Sequence, residues 1–511
     1  MNSYLYLVLA APFVAAIFAC FTSGRDGDAS LRLGILLSLV TAGLALPLIT
    51  CMGPIEVSRP WFTLWNTDAT VQLSLASDGL SAWLIQLVAW LTPVAIIASR
   101  DQVGDRMREL VVALLVMQGM MFGALLARDL VVFYLAFEGM LIPVVVLMAV
   151  FGGADRRGAA LQFFLYTMLG SVFMLVSIWF IANRVHTTGL AEVVAQLGGP
   201  DFADRERLLM FLAFALAFAV KVPLFPLHGW QPLTYAECPT GALVLLSGAM
   251  AKLGTYGLLR FVLPMFPDLC AHYATWFIVL GLIGAVGGAL MALAQTDVKR
   301  LLAYSSLSHL GLVVVGIFTF SPLALQGAAV QMVAHGFSVA ALFILAGYVE
   351  QRAERRGVEE LGGLVNVVPR LAVLFVIAAL ASAALPGTAN FAGELLLLLG
   401  VFDPSRWWIA ALAGVSTILG AVYLLRLIQR WFYGEPRSDV PAMEDLRGYE
   451  LAAVVPLLLL SVGFGFYPAP ISSQAGSVAV TLGAPARDAR IAAAAASAAT
   501  EAIAVASPTG P

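Results

Sequence analysis

The chain has 511 residues, of which 61% are hydrophobic and only 12% charged, about half the roughly 25% charge of an ordinary soluble domain. Its mean hydropathy is +0.92, and apolar runs recur from Met1 to about Pro470, which excludes a soluble globule with one anchor and predicts an all-α polytopic membrane protein. A net charge of −3 leaves no basic footprint for nucleic acid.

A crossing helix needs roughly 20 apolar residues. Fourteen segments meet that demand, at 3–21, 31–51, 79–98, 109–127, 129–151, 159–182, 208–225, 240–263, 273–294, 300–319, 323–349, 370–402, 407–430 and 449–468. They are numbered here as spans 1 to 14. The first lacks a basic flank and reads as a span rather than a cleavable leader. The longer loops are 52–78, 183–207 and 350–369. From Ile471 the chain is rich in Ala, Ser and Gly, which fits either a poorly ordered tail or a surface helix.

Loop charges set the orientation. Of 28 Lys and Arg, sixteen lie in loops after odd-numbered spans (Arg25 among them), eight lie on the opposite side, and four lie inside spans. The positive-inside bias therefore puts both termini on the non-cytoplasmic side.

Four ionisable residues interrupt apolar sequence: Glu138 in YLAFEGMLIP, Lys221 in FAFAVKVPLF, Lys252 in LSGAMAKLGTYG and Glu394 in TANFAGELLLLLG. A charge at the centre of a span costs about 2.5–3.5 kcal/mol on the insertion scale. Two uses could justify that cost, a buried ion pair that locks helices or a proton relay. Lysine favours the relay, because it can lose its proton when desolvated whereas arginine cannot. His228, His309 and His335 lie in or beside spans and point the same way. His186 and His272 fall in loops and receive no role. Cys20, Cys51, Cys238 and Cys270 are scattered without a CxxC pair, so packed free thiols are expected and cluster or zinc ligation is not. No P-loop is present.

Two spans look broken. Span 7 runs AVKVPLFPLHGWQP and span 12 runs AALPGTANFAGE. Prolines kink many membrane helices, yet here each break lies within eight residues of Lys221 or Glu394. Backbone opened at membrane depth is tolerated only inside protein or beside a wet cavity. The breaks are five spans apart, which predicts two inverted five-span repeats, spans 4–8 and 9–13. The expected organisation is 1–108 for spans 1–3, 109–263 and 264–430 for the two repeats, 431–470 for span 14, and 471–511 for the tail.

FEGMLIPVVVLMAVFGG, AVKVPLFPLHGW, AKLGTYGLLRF, DVKRLLAYSSLSHLG, QGAAVQMVAHGF and LPGTANFAGE together resemble the antiporter-like subunits of bacterial NADH:quinone oxidoreductase, respiratory complex I. The likeness is to the M type, whose mitochondrial counterpart is subunit 4, and it runs from about Leu110 to Arg430. The resemblance implies fourteen helices, inverted repeats with broken helices 7 and 12, and a proton path. On that path Glu138 pairs with Lys221, Lys252 is central, His228, His309 and His335 belong to the connecting axis, and Glu394 is terminal. Lysine takes that terminal place in the L and N types. FMN and iron–sulfur clusters would be carried by partner subunits and none by this chain, L and N subunits would be its neighbours, and the bacterial inner membrane would hold it.

One stretch departs from the pattern. The family usually reads W-L-P-D-A-x-x-E-A-P-T after the span 7 break, and this chain reads WQPLTYAECPT. Gln231 to Tyr235 lack the aspartate, while Glu237 and Pro239 remain. Related subunits also occur in Mrp-type cation/proton antiporters and membrane-bound hydrogenases, which are the alternative settings. Na⁺ is disfavoured as cargo because lysines are poor Na⁺ ligands.

Overall fold

The computed structural model describes residues 3–22, 27–50, 55–64, 67–199, 201–437 and 443–506. Arg25 and Cys51 lie outside these residues. Eleven of the fourteen expected segments are apolar helices of 19 to 32 residues. They are span 2 (Gly27–Thr50), span 3 (Gly79–Ala98), span 4 (Arg100–Leu126), span 5 (Leu130–Phe151), span 6 (Arg156–Val185), span 8 (Thr240–Met265), span 9 (Pro267–Ala294), span 10 (Val298–Thr319), span 11 (Pro322–Ala353), span 13 (Pro404–Trp431) and span 14 (Gly448–Phe466). The other three are shorter or interrupted. Span 1 is Tyr4–Cys20, span 7 stops at Lys221 after Asp204–Lys221, and span 12 is split into Pro369–Ser382 and Ala389–Val401.

Aspartates start three of these helices. Asp78 accepts the Ser81 N–H at 3.1 Å, Asp129 accepts those of Val131 and Val132 at 2.9 and 3.2 Å, and Asp297 accepts that of Arg300 at 3.0 Å. Each satisfies a free N–H and sets negative charge at the positive end of the helix dipole.

Span 11 lies at the centre, packed against spans 3, 8, 10, 12 and 14. The apolar windows of spans 8 and 11 are wholly buried. Span 6 is peripheral: Leu161, Leu165, Leu169, Val172, Val176 and Trp179 follow a three-to-four-residue spacing and are all exposed. Such an apolar stripe suits contact with lipid.

Several elements differ from expectation. The loop 52–78 contains two short antiparallel pairs, β1 (Ile55–Val57) with β4 (Leu75–Ser77), and β2 (Pro60–Thr63) with β3 (Thr70–Gln72). Strands of three or four residues are too short for an alternating pattern to show. Span 5 is interrupted at Met140, between Leu130–Gly139 and Leu141–Phe151. Span 9 begins at Pro267, so His272 is helical rather than in a loop. Cys238 and Cys270 are buried free thiols, but Cys20 is exposed because it sits at the outer end of a peripheral helix. After Ile471 the chain is helical, as Ser477–Ala506, and rests on spans 8, 9 and 11. Gly483 makes the seat possible, since a Cβ there would come within 2.5 Å of Leu325.

Candidate functional site: a buried polar axis

Glu138 ends the first half of span 5, where the helix stops at Gly139. Its two carboxyl oxygens are buried without a direct hydrogen-bond partner. Lys221 is the last residue of the intact part of span 7. Its Nζ also lacks a hydrogen-bond partner, lies 4.7 Å from the Phe137 ring centroid and 6.0 Å from that of Phe163, and feels the Glu138 charge. The cation is thus held between aromatic faces beside a carboxylate, in coupling but without direct contact. Trp230 fixes the break by donating its Nε1–H to the Val220 carbonyl at 3.0 Å.

Lys221 and Lys252 stand on helices that pack together because of two glycines. A Cβ at Gly254 would lie 2.6 Å from Val222 Cγ2, and one at Gly257 would overlap the Phe218 ring. Lys252 follows a π-helical turn, Leu246–Met250. Such a turn disturbs the regular backbone ladder and recurs at functional sites. The Lys252 ammonium donates to the Ser247 carbonyl at 2.6 Å and meets His335 Nδ1 at 2.8 Å.

From Lys252 the contacts continue without a break in the fold. The His335 ring centroid is 5.2 Å from that of His309, and His309 Nδ1 is 2.9 Å from Glu394 Oε1. Glu394 also accepts from Gln331 Nε2 at 3.2 Å and Thr417 Oγ1 at 3.0 Å. Glycines again allow the approach. A Cβ on Gly336 would meet the Gly248 carbonyl at 2.8 Å, and one on Gly393 would meet Gln331 Oε1 at 2.5 Å. His309 Nε2 remains without a partner.

Four of the seven residues singled out in the sequence therefore form one contact chain, Lys252, His335, His309 and Glu394. Glu138 and Lys221 form a second group. His228 joins neither: it is half-exposed, stacks on Phe225 at 5.5 Å, and stands edge-on to Tyr304 at 6.3 Å. The span 12 break is bridged internally, by Leu385 N–H to the Leu380 carbonyl and Thr388 N–H to that of Leu385. Gly387 has φ +94°, a conformation that glycine adopts without penalty.

Sequence reasoning missed a second cluster. Arg356 pairs with Glu237 at 2.9 Å, Asp297 at 2.6 Å and Glu350 at 3.4 Å, and Lys299 pairs with Glu350 at 2.6 Å. Arg356, Glu237, Glu350 and Lys299 border a polar cavity of about 530 Å³. Burial would raise the Glu237 carboxyl above its usual range, but the Arg356 hydrogen bond and charge and the Asp155 N–H hold it below. Four of the five residues sit in or beside loops, where charges read as topology markers. Beside this cluster, in the altered stretch, Gln231, Thr234 and Tyr235 are buried with side-chain polar atoms that lack partners. Among the described residues no group of three or more His, Cys, Asp or Glu is arranged to hold a metal.

Residues 127–420 match the family described as NADH:quinone oxidoreductase/Mrp antiporter, TM. That stretch holds all seven residues and the interrupted spans 5, 7 and 12. The NADH-quinone oxidoreductase subunit M of Rhodobacter capsulatus is 35% identical over 490 residues, 93% of this chain and 95% of the relative. A chain of respiratory complex I from Thermus thermophilus with bound NADH superposes with a TM-score of 0.84 at 31% identity, covering 94% of this chain and 99% of that one. A chain of the Mrp complex from Dietzia sp. DQ12-45-1b gives a TM-score of 0.83 at 21% identity, covering 96% and 99%, which is a likeness of fold alone. With interrupted helices at spans 7 and 12, a lysine–histidine–glutamate chain through the core and matches of this extent, the chain belongs to the NADH:quinone oxidoreductase/Mrp antiporter family, on the side of the M-type subunits.

Proposed function

We propose that the chain is the proton-translocating M-type subunit in the membrane arm of a bacterial NADH:quinone oxidoreductase. The observation that carries this reading is the contact chain from Lys252 through His335 and His309 to Glu394. Every neighbour in it can hold a proton in one state and release it in another. The Lys252 ammonium donates toward His335 Nδ1. The His335 ring passes a proton toward His309 after a ring rotation or through one bridging water. His309 Nδ1–H delivers it to the Glu394 carboxylate. Charge on Glu138 governs how long Lys221 keeps its proton, because the two are coupled without touching. A change in their spacing therefore changes the proton's hold.

The redox step belongs to partner subunits, which would carry FMN and iron–sulfur clusters; the scattered cysteines here offer no cluster ligand set. L and N subunits are the proposed neighbours, the bacterial inner membrane is the proposed location, and the loop charges support termini on the non-cytoplasmic side. In that orientation the Arg356 cluster and its polar cavity face the cytoplasm, where protons are taken up.

The reading is tested by replacing Lys252 with Met in the intact complex and measuring NADH-driven proton uptake in inverted vesicles. Loss of pumping with normal assembly supports it. Pumping at the unmodified level would remove Lys252, and the chain with it, from the path.

A further inference from the structure

Between the Arg356 cavity and the histidine pair lies a layer of buried polar groups that the relay does not use. Span 11 measures its depth. Glu350 borders the cavity, Phe343 stands edge-on to the Tyr235 ring at 5.6 Å, and His335 belongs to the axis. At roughly 1.5 Å per residue, Phe343 lies about 10 Å deeper than Glu350, and His335 about 12 Å deeper again. Span 10 agrees. Lys299, paired with Glu350 at 2.6 Å, shares one helix face with Ser306 and His309, and Ser306 stands about 10 Å further in than Lys299.

The layer consists of Gln231, Thr234, Tyr235 and Ser306, all buried. Gln231 Oε1 and Nε2, Thr234 Oγ1, Tyr235 OH and Ser306 Oγ have neither a hydrogen-bond partner nor surface open to water. The Tyr235 hydroxyl lies beside the Gln231 amide, one turn away, without bonding it. Buried polar groups are ordinarily paired with protein or water, so five such atoms at one depth are costly to the fold. In the pattern that the resemblance implies, leucine and alanine take the places of Gln231 and Thr234, and the aspartate falls at Leu233. This chain has given up one charge and gained neutral polar groups on the same short helix.

That helix, Gln231–Glu237, is jointed at both ends: the span 7 break precedes it, and Cys238 after it is extended at φ −69° and ψ 137°. It packs on span 10. Its cavity end is tied by charge, since Glu237 pairs with Arg356 and Arg356 Nη1 donates to the Ala236 carbonyl at 2.9 Å. Arg356 also holds Asp297 at the start of span 10. We propose that Gln231, Thr234, Tyr235 and Ser306 form the gate of proton uptake, closed by this packing and opened when the short helix tilts off span 10 and admits water from the cavity. The inference rests on the relay of the preceding subsection. Opening lets water satisfy the orphaned atoms, which offsets the cost of moving the helix. Each hydroxyl then accepts a proton from the water before it and releases its own to the water after it, and the last water delivers to the histidine pair.

The test measures NADH-driven proton uptake in inverted vesicles holding the intact complex, beside the melting temperature of each variant. Tyr235→Phe and Thr234→Val keep the shape and delete hydroxyls that bond nothing in the closed fold. A merely structural role predicts no loss from either, because an unpaired buried hydroxyl stabilises nothing. The gate predicts pumping about tenfold slower in both, the effect of one hydrogen bond lost from the uptake path, with melting unchanged or raised. Thr234→Ser, which keeps the hydroxyl, should pump at close to the unmodified rate. Normal pumping by Tyr235→Phe and Thr234→Val, with Lys252→Met inactive, would overturn the gate and leave the relay standing. Normal pumping by Lys252→Met as well would overturn both. Slow pumping with melting lowered in step, or without rescue by Thr234→Ser, would make these groups packing residues and overturn the gate equally.

Discussion

His309 Nδ1 stands 2.9 Å from Glu394 Oε1, joining span 10 to the half of span 12 that follows its break. Among the described residues neither forms another ion pair, so on the proposed path the histidine is the last donor before the terminal acid. His309→Ala should leave the helices in place, since the ring occupies a buried but polar position, and should lower NADH-driven pumping by roughly two orders of magnitude. His309→Gln keeps one hydrogen bond to Glu394 but cannot relay a proton, so it should be as poor as Ala. Pumping restored by Gln would show that His309 only positions Glu394.

The Lys252–His335 contact depends on backbone proximity. A Cβ on Gly336 would press on the Gly248 carbonyl at 2.8 Å and on Leu87 at 2.6 Å. Gly336→Ala should therefore destabilise by about 1–3 kcal/mol, as overpacked sites do, and part spans 8 and 11 beside the relay. Thermal melting of the purified complex should fall, and pumping should fall by more than the loss of folded protein explains. Unchanged pumping would mean that the contact is not needed.

Glu138→Ala or Lys221→Ala removes one member of a coupled pair. Each variant should assemble normally on native gels and show low NADH:quinone activity with low pumping. Full activity in both would sink the pairing.

Much of this site is legible in the sequence, because a charge in an apolar run is costly enough to be conspicuous. Glu138, Lys221, Lys252 and Glu394 stand out for that reason, and the breaks at Pro223 and Pro386 stand out from proline chemistry. What does not show is which histidine touches what. His228 sits in as suggestive a motif as His309, PLFPLHGW against YSSLSHLG, yet the turn after Lys221 leaves it half-exposed. Arg356 was equally hidden: a loop arginine reads as an orientation signal, and only tertiary folding brings Glu237, Asp297 and Glu350 around it. The bend at Met140 follows from Pro143, which has no N–H to give the Gly139 carbonyl and crowds it, a signal easily passed over inside an unbroken apolar run.

The Arg356 cluster has a pH signature. Glu237 is held below its ordinary value near 4.5 despite burial, chiefly by Arg356 and the Asp155 N–H. A depressed carboxyl stabilises the fold above its unfolded pKa and loses that contribution as pH falls through the lower, folded value. Melting temperature of the complex should accordingly drop as the pH is lowered below about 4.5, and Glu237→Gln should show a smaller drop over the same range. Identical pH profiles would exclude Glu237 from this role.

The central claim is that Glu394 ionises and passes the proton out. Glu394→Gln retains the shape and its bonds to Gln331 and Thr417 but cannot ionise, whereas Glu394→Lys restores a titratable group, of the kind the resemblance implies for the L and N types at this place. Proton pumping in membrane vesicles, normalised to complex content, should fall by roughly two orders of magnitude for Gln and remain substantial for Lys. If the Gln variant pumps as well as the unmodified protein, Glu394 is a packing acid and the relay ends elsewhere.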